Sequence, residues 1–384
     1  MNNRFNGGVI GAANIPTLLS AQGVWSPMEQ AVAKLQGIWP ILGFAGGNQS
    51  VAEIYALAET MLTAPNMSSP DFGGTLSVNS VSLGNYEYVV KQGNQTISAY
   101  SNADWFSSTE DSVSSFCVVN GNLTINSGQT FIPSQRKLFT VLFVNGDLTV
   151  NGAISMSARG ANHSGTGNSG GATTAGAIRI KTGTYGGITN PEVPAAGSSG
   201  VSVAGSTPSA ATGGGTAGGG AGGYQNGGTS AAGTSFTGGS GGGGNHPTGP
   251  QNPVAVSNGG KGGDGCAVNS TTSNGGGAGN PGGTGIYNGA ANGGNGTGGV
   301  LIVICTGVLS GSGTISANGV AGGTGGTSNS YGNGGGGSGG GSVTVMYTTD
   351  SSSITPTASG GAGGTGKTGN GGAGGAGTAR KLTL

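Results

Sequence analysis

Between residues 71 and 158 the chain alternates apolar and polar positions with a period of two. "GTLSVNSVSLGNYEYVVKQGNQTISAY", "FCVVNGNLTINSGQTFIP" and "LFVNGDLTVNGAISMSARG" read as strands separated by Gly-Asn and Asn-Gly turns. "VNGNLTINSG", "VNGDLTVNG" and "LSGSGTISANG" look like rungs of one repeating β unit. Repeated units that each leave a face open predict a solenoid or a meander. Further on, "GAIRIKTG" (176–183), "GVLIVICTG" (299–307) and "GSVTVMY" (341–347) are strand-like islands divided by long glycine tracts.

Before residue 71 the period changes to that of a helix. Ser26 at the N-cap, Pro27 at N1 and Glu29 at N3 form a capping box. Met28, Val32 and Leu35 follow on one face, and Gly37 and Pro40 end the helix. A second box, Ser50 to Glu53, precedes an apolar face of Ile54, Leu57, Met61 and Leu62. The pattern therefore predicts a helical module over residues 1–70, a β domain over 71–158 and a glycine-rich domain over 159–384.

The glycine tracts carry a third period. Gly360, Gly363, Gly366, Gly369, Gly372 and Gly375 fall every third residue, as do Gly276, Gly279, Gly282 and Gly285. Three residues per turn belongs to the polyproline-II helix, which has no internal hydrogen bonds. If such a helix is buried, its N–H and C=O groups must pair with neighbouring chains. The expected fold is mainly β with a small N-terminal helical module. A solenoid-like β scaffold would carry glycine-rich polyproline-II (polyglycine-II) helices as excursions that pack on one another. Collagen needs an unbroken G-X-Y repeat and abundant proline; here the repeat breaks often and Pro is only 14 of 384 residues.

Composition narrows the function. Of 91 glycines, 15 lie at or before residue 150 and 76 after it. Net charge is zero, which argues against nucleic acid as a partner, because neutralising phosphates takes Lys and Arg. After residue 150 the only acids are Glu192, Asp264 and Asp350, and the only histidines are His163 and His246. Acid–base catalysis and metal binding both need clusters of such groups, so neither an enzyme, a cofactor nor a metal site is expected. Cys117, Cys266 and Cys305 show no paired spacing. The N-terminus lacks the basic and apolar regions of a secretory signal, and the apolar run Val300 to Cys305 is too short for membrane insertion.

Glycine also produces motif matches without their context. Gly361 to Thr368 fits the P-loop pattern, with Lys367 in the lysine place. The following stretch holds too many glycines to form the helix a P-loop needs. Ser169, Ser240 and Ser338 each fit the nucleophile-elbow pattern G-x-S-x-G, again without a strand-to-helix turn. "GGKGGDGCA" fits one calcium-binding nonapeptide, but those work in tandem.

Single aromatic residues and one histidine interrupt the glycine tracts: Tyr185, Tyr224, Phe236, His246, Tyr287 and Tyr331. On a rigid glycine body they fall in loops and form a candidate binding face. Trp25 and Trp39 flank the first helix and are candidate attachment residues, since Trp is enriched at interfaces.

"GGVIGAANIPT", "GVWSPMEQ" and "WP" near the N-terminus resemble a short signature of glycine-rich tail or fibre proteins of tailed bacteriophages. The glycine half resembles the tail-fibre-tip adhesins of T-even-like phages. That resemblance implies a non-enzymatic virion protein, found on an extracellular particle. It implies attachment to other fibre proteins through the N-terminal module and host recognition by loops on a polyglycine-II body. The implied partner is a cell-surface receptor or glycan, with homo-oligomerisation open. The alternatives are a self-assembling structural subunit of a virion or filament, and an ice- or surface-binding protein with a flat Thr and Asn face.

Overall fold

The computed structural model describes residues 57–78, 81–107, 113–160, 184–185, 188–189, 221–224, 243–246, 285, 289–326, 334–367 and 370–384. These residues are mainly β, with a curled sheet and one short helix at residues 57–61. The predicted helix over 26–37 lies outside them.

The strands fall into repeated groups along the chain. β1 (Asp71–Val78) pairs antiparallel with β2 (Val81–Gln92), which is followed by β3 (Gln95–Ile97). Next come β4 (Val113–Asn120), β5 (Leu123–Ile125) and β6 (Thr130–Phe131). The following group is β7 (Lys137–Val144), β8 (Leu148–Val150) and β9 (Ala153–Ser155). β10 (Thr184–Tyr185) and β11 (Ile188–Thr189) form one small pair, and β12 (Ala221–Tyr224) and β13 (Gly243–His246) another. The chain ends with β14 (Val300–Ser310), β15 (Thr314–Ser316), β16 (Ser342–Asp350) and β17 (Thr378–Thr383).

Like members of successive groups lie side by side in parallel. β2, β4, β7, β14, β16 and β17 form one ladder in that order. β3, β5, β8 and the end of β14 form a second. β6, β9 and β15 form a third. The strands flanking each Asn-Gly therefore belong to different ladders and do not pair with each other, so the turn is a corner. The boundary expected at residue 158 follows composition, and the sheet crosses it where β7 pairs with β14.

Period-two alternation fills the space between the ladders. Cys117, Leu142, Val303 and Val345 from the first ladder meet Leu123, Leu148 and Leu309 from the second, and Ile154 and Ile315 from the third. Burying a side chain of this size stabilises by about 1.5–3 kcal/mol. Trp105 and Phe106 complete the core, each with its ring centroid 5.2 Å from that of Phe131.

The corner repeats explain the Asn-Gly signature. Asn120 donates to the Gln92 side-chain oxygen at 2.9 Å, Asn145 to Asn120 at 3.0 Å, and Thr306 to Asn145 at 3.2 Å. One step on, Asn94 Oδ1 accepts from the Asn122 amide, Asn122 Oδ1 from the Asp147 amide, and Asp147 Oδ1 from the Val308 amide. Each short side chain thus satisfies a corner amide of the next pass. Gly93 stands at φ 74°, where a side chain would be strained.

At the other end of the ladder, Lys381 closes the core. Its ammonium pairs with Asp350, donates to the Ile354 carbonyl at 3.0 Å, and lies 5.7 Å from the Tyr347 ring centroid. Partial burial alone would raise the Asp350 carboxyl. Hydrogen bonds from Lys381 and Ser352 outweigh it and hold the group below its usual range. The stability this lends is present above the ordinary carboxylate pKa and is lost as pH falls through the lower folded value. Protection of the β17 amides, relative to the unfolded chain at the same pH, should accordingly fall only below about pH 4. That fall should vanish in Asp350→Asn, whose β17 should be weakly protected at every pH; a variant as protected as the parent at pH 7 would show the pair to be idle.

Candidate functional site

Five glycine-rich segments adjoin the third ladder: residues 289–299, 317–326, 334–341, 357–367 and 370–377. They lead into or out of the strands, so β15 runs out into 317–326 and 334–341 runs into β16. Where β6 reaches β7 through residues 132–136, β15 reaches β16 through 317–341 and residues 358–377 lead to β17. The glycine stretches are therefore extended returns at one corner of the curled sheet.

Their backbone bonds recur every three residues. Gly319, Gly322 and Gly325 donate to Ser359, Ala362 and Thr365 at 2.8–2.9 Å. Gly371, Gly374 and Gly377 donate to Gly364, Gly361 and Ala358, running the other way. The central segment bonds to all four others. Gly335 and Ser338 donate to Gly323 and Val320; Gly337 and Gly340 donate to Gly372 and Gly375. Ser338 and Gly335 accept from Gly361 and Gly364, and Gly339 accepts from Gly298. Burial has the same period: Ala358, Gly361 and Gly364 are buried while Ser359, Ala362 and Thr365 are exposed. Asn370, Ala373 and Ala376 are likewise exposed at every third place.

Two motif matches fall within these segments. Gly361 and Gly364 of the P-loop pattern spend their amides on Ser338 and Gly335, and Lys367 is exposed at the turn between two segments. Ser338 is fully buried and its hydroxyl accepts from the Val320 amide at 2.8 Å, so it packs as a glycine substitute. Ser169, Ser240 and the nonapeptide at 259–267 lie outside the described residues.

The candidate binding residues are spread along the chain. Tyr185 ends β10; Tyr224 and His246 end β12 and β13 and are paired in register, side by side. Phe236, Tyr287, Tyr331, Trp25 and Trp39 lie outside the described residues. Tyr331 falls in sequence between residues 326 and 334, and Lys367 stands at the end of the segment 357–367. There the Gly366 amide donates to Asn370 Oδ1 at 3.0 Å.

Sequence reading missed one polar cluster. Lys137 Nζ lies 2.7 Å from Glu87 Oε1, with both side chains out of water. Glu87 also accepts from Ser115 Oγ at 2.6 Å and from the Ser107 amide at 2.7 Å. Burial, reinforced by the Glu87 carboxylate, pushes the neighbouring Cys117 thiol far up. Cys305 is pushed up to about 11 by burial. Both thiols are thus protonated and inert at neutral pH. The cluster is sealed from substrate, and its acid and base serve each other. The only hint in sequence was a Glu and a Lys on core-facing places of apolar strands.

Among the described residues no group of three or more His, Cys, Asp or Glu could hold a metal ion, and no helix is long and apolar enough to cross a membrane. Comparison with models of known families, with characterised proteins and with solved structures gave no match.

Proposed function

We propose that this chain is a non-enzymatic receptor-binding protein of a phage tail fibre. In this reading the curled sheet is a β-solenoid and its glycine returns form a bundle of polyglycine-II helices. The single observation that carries it is the three-residue period shared by hydrogen bonding and burial across the glycine segments. Three residues per turn with every bond made to a neighbour is what a packed polyproline-II helix requires. Such a bundle is rigid without side chains, so the residues joining its segments are free to vary and to bind. Tyr185, Tyr224, Phe236, His246, Tyr287 and Tyr331 are the residues we assign to that face, and Trp25 and Trp39 to attachment on the particle.

The self-assembling alternative would use rung-on-rung stacking. It is disfavoured by the covered ends of the core: Met67, Tyr100 and Trp105 pack at one end and Lys381 crosses Tyr347 at the other. One observation favours surface binding, namely the in-register row Thr96, Thr124, Thr149 and Ser310. The hydroxyls of Thr149 and Ser310 bond each other at 2.9 Å, which leaves them less to offer ice.

The test is competition. Purified chain should bind whole cells of a susceptible host and block adsorption of the particle that carries it. A chain with residues 327–333 and 367–369 replaced by Gly-Ser should stay folded and lose that block at least tenfold. Filaments forming from the purified chain alone, or equal blocking by the altered chain, would overturn the assignment.

A further inference from the structure

Each pass of the sheet can be measured by the positions it takes up. Side-chain bonds join residues 28 apart from β2 to β4 (Gln92 with Asn120, Asn94 with Asn122). From β4 to β7 the step is 25 (Asn120 with Asn145, Asn122 with Asp147). From β14 to β16 it is 42 (Thr306 with Thr348). From β7 to β14 it is 161. That long step is the same wherever it is read. It holds at the corner, where Asn145 and Asp147 accept from Thr306 and Val308, and at Thr149 with Ser310. It holds again where Ser155 and Ser157 meet Ser316 and Asn318. All three ladders thus run on without a slip.

A constant offset means that the additional residues leave and re-enter the sheet at one point. Residues 156–160 stay on the sheet. The Met156 and Ala158 amides donate to Ser316 and Asn318 at 2.7 and 3.0 Å, and Arg159 accepts from the Lys137 amide at 3.0 Å. The chain is back at Thr297, whose carbonyl accepts from the Gly160 amide at 3.0 Å, and Gly299 donates to Met156 at 2.9 Å. A Cβ at position 160 would lie 2.3 Å from Thr297 Oγ1, so only glycine lets the two ends come this close. Leaving out residues 161–296 shortens the step by 136 positions, from 161 to the same 25 as the pass before.

We propose that residues 161–296 are one insertion into a complete pass, that the sheet on either side of it is a scaffold that folds without it, and that the insertion brings residues of its own to the recognition face. The entropy of closing a loop grows only with the logarithm of its length, so a long excursion is tolerated once its ends are clamped. Ends that lie together at the surface are where insertions into domains are accepted. Tyr185, Tyr224 and His246, three of the residues assigned to binding, stand inside this stretch. The recognition clause rests on the receptor-binding reading; the insertion itself does not.

The experiment removes residues 161–296 from the full chain and joins Gly160 to Thr297 by a Gly-Gly link. A second variant keeps residues 289–296, in which the Ala291 and Gly294 amides donate to Thr324 and Ala321, and replaces 161–288 by about twelve Gly-Ser residues. In at least one of the two, protection of the β7, β8 and β14 amides should stay within about tenfold of the parent. Loss of that protection in both would show that the sheet needs the stretch, and would overturn the insertion. The folded variant should also block particle adsorption about tenfold less well than the parent, or worse. A folded variant that blocks as well as the parent would overturn the recognition clause. A parent that blocks nothing would fail the receptor-binding reading instead, and amide protection alone would then decide the insertion.

Discussion

Replacing Lys137 by Met should cost about 3–5 kcal/mol, the loss expected when one member of a buried ion pair is removed and the other is left uncompensated. Glu87 would keep its bonds from Ser115 and the Ser107 amide, yet its charge would face an apolar core at 1% exposure. Thermal unfolding should fall by roughly 6–20 °C, at about 2–4 °C per kcal/mol for a body of this size. Glu87→Gln alone should also destabilise, since the buried Lys137 then loses its 2.7 Å carboxylate partner. The double change, Glu87→Leu with Lys137→Met, should recover most of the loss, because two apolar groups need no partner. The pair joins β2 to β7 across β4, so the loss should appear as faster amide exchange in all three strands. If both single variants melt within about 2 °C of the parent, the pair contributes little and the core is held by packing alone.

The β scaffold was legible because its strands obey period two and its corners repeat the same letters. "VNGN" and "VNGD" mark the places where Asn122 and Asp147 each take part in the corner ladder. What the letters did not reveal was pairing direction. An Asn-Gly between two alternating runs has the same composition whether it closes a hairpin or turns a corner, and only the stacked side-chain bonds between passes decide for the corner. The compositional step near residue 158 is a signal of a different kind. It marks where glycine returns begin, while the apolar island at Val300–Ser310 continues the same ladder beyond that step.

The glycine segments were legible in period and not in partner. Spacing by three gives the period, but each such segment could bond any neighbour through a bare backbone edge. The structure chooses residues 334–341 as the centre, and the sequence had one hint of it. That segment is the run "GGGGSGGG", in which even the positions elsewhere taken by Ala or Thr are small. Ser338 matches the elbow pattern only because a serine stands among glycines. Its burial and its bond to Val320 give it a place in the packing instead. The Glu87–Lys137 pair had only the hint of two charges within apolar strands, since which residues meet across strands depends on register, which the sequence leaves open.

Substituting Gly340 by Ala should disrupt the glycine bundle. A methyl group there would overlap the carbonyl of Ala358, a backbone atom that cannot step aside as a flexible side chain could. Gly374 makes the same close approach to the Ser338 carbonyl. Overpacking of an interior costs about 1–3 kcal/mol when side chains can adjust, and backbone held on several sides has less room to do so. Gly340→Ala should therefore lose at least that much, and Gly340→Ala with Gly374→Ala more. Ala362→Ser, at an exposed third position, should change stability by less than about 0.5 kcal/mol. The local readout is amide exchange at Gly361, Gly364, Gly371 and Gly374, whose N–H groups are donors in the bundle. In the parent these four should exchange slowly, and in Gly340→Ala faster by tenfold or more, while amides of β4 and β7 hold their rates. Slow parent exchange lost at the four glycines alone would mean that the bundle is a cooperative unit seated on the sheet. Random-coil exchange at those four positions in the parent, or a Gly340→Ala chain as stable as Ala362→Ser, would mean that the three-residue period describes composition and no packed structure.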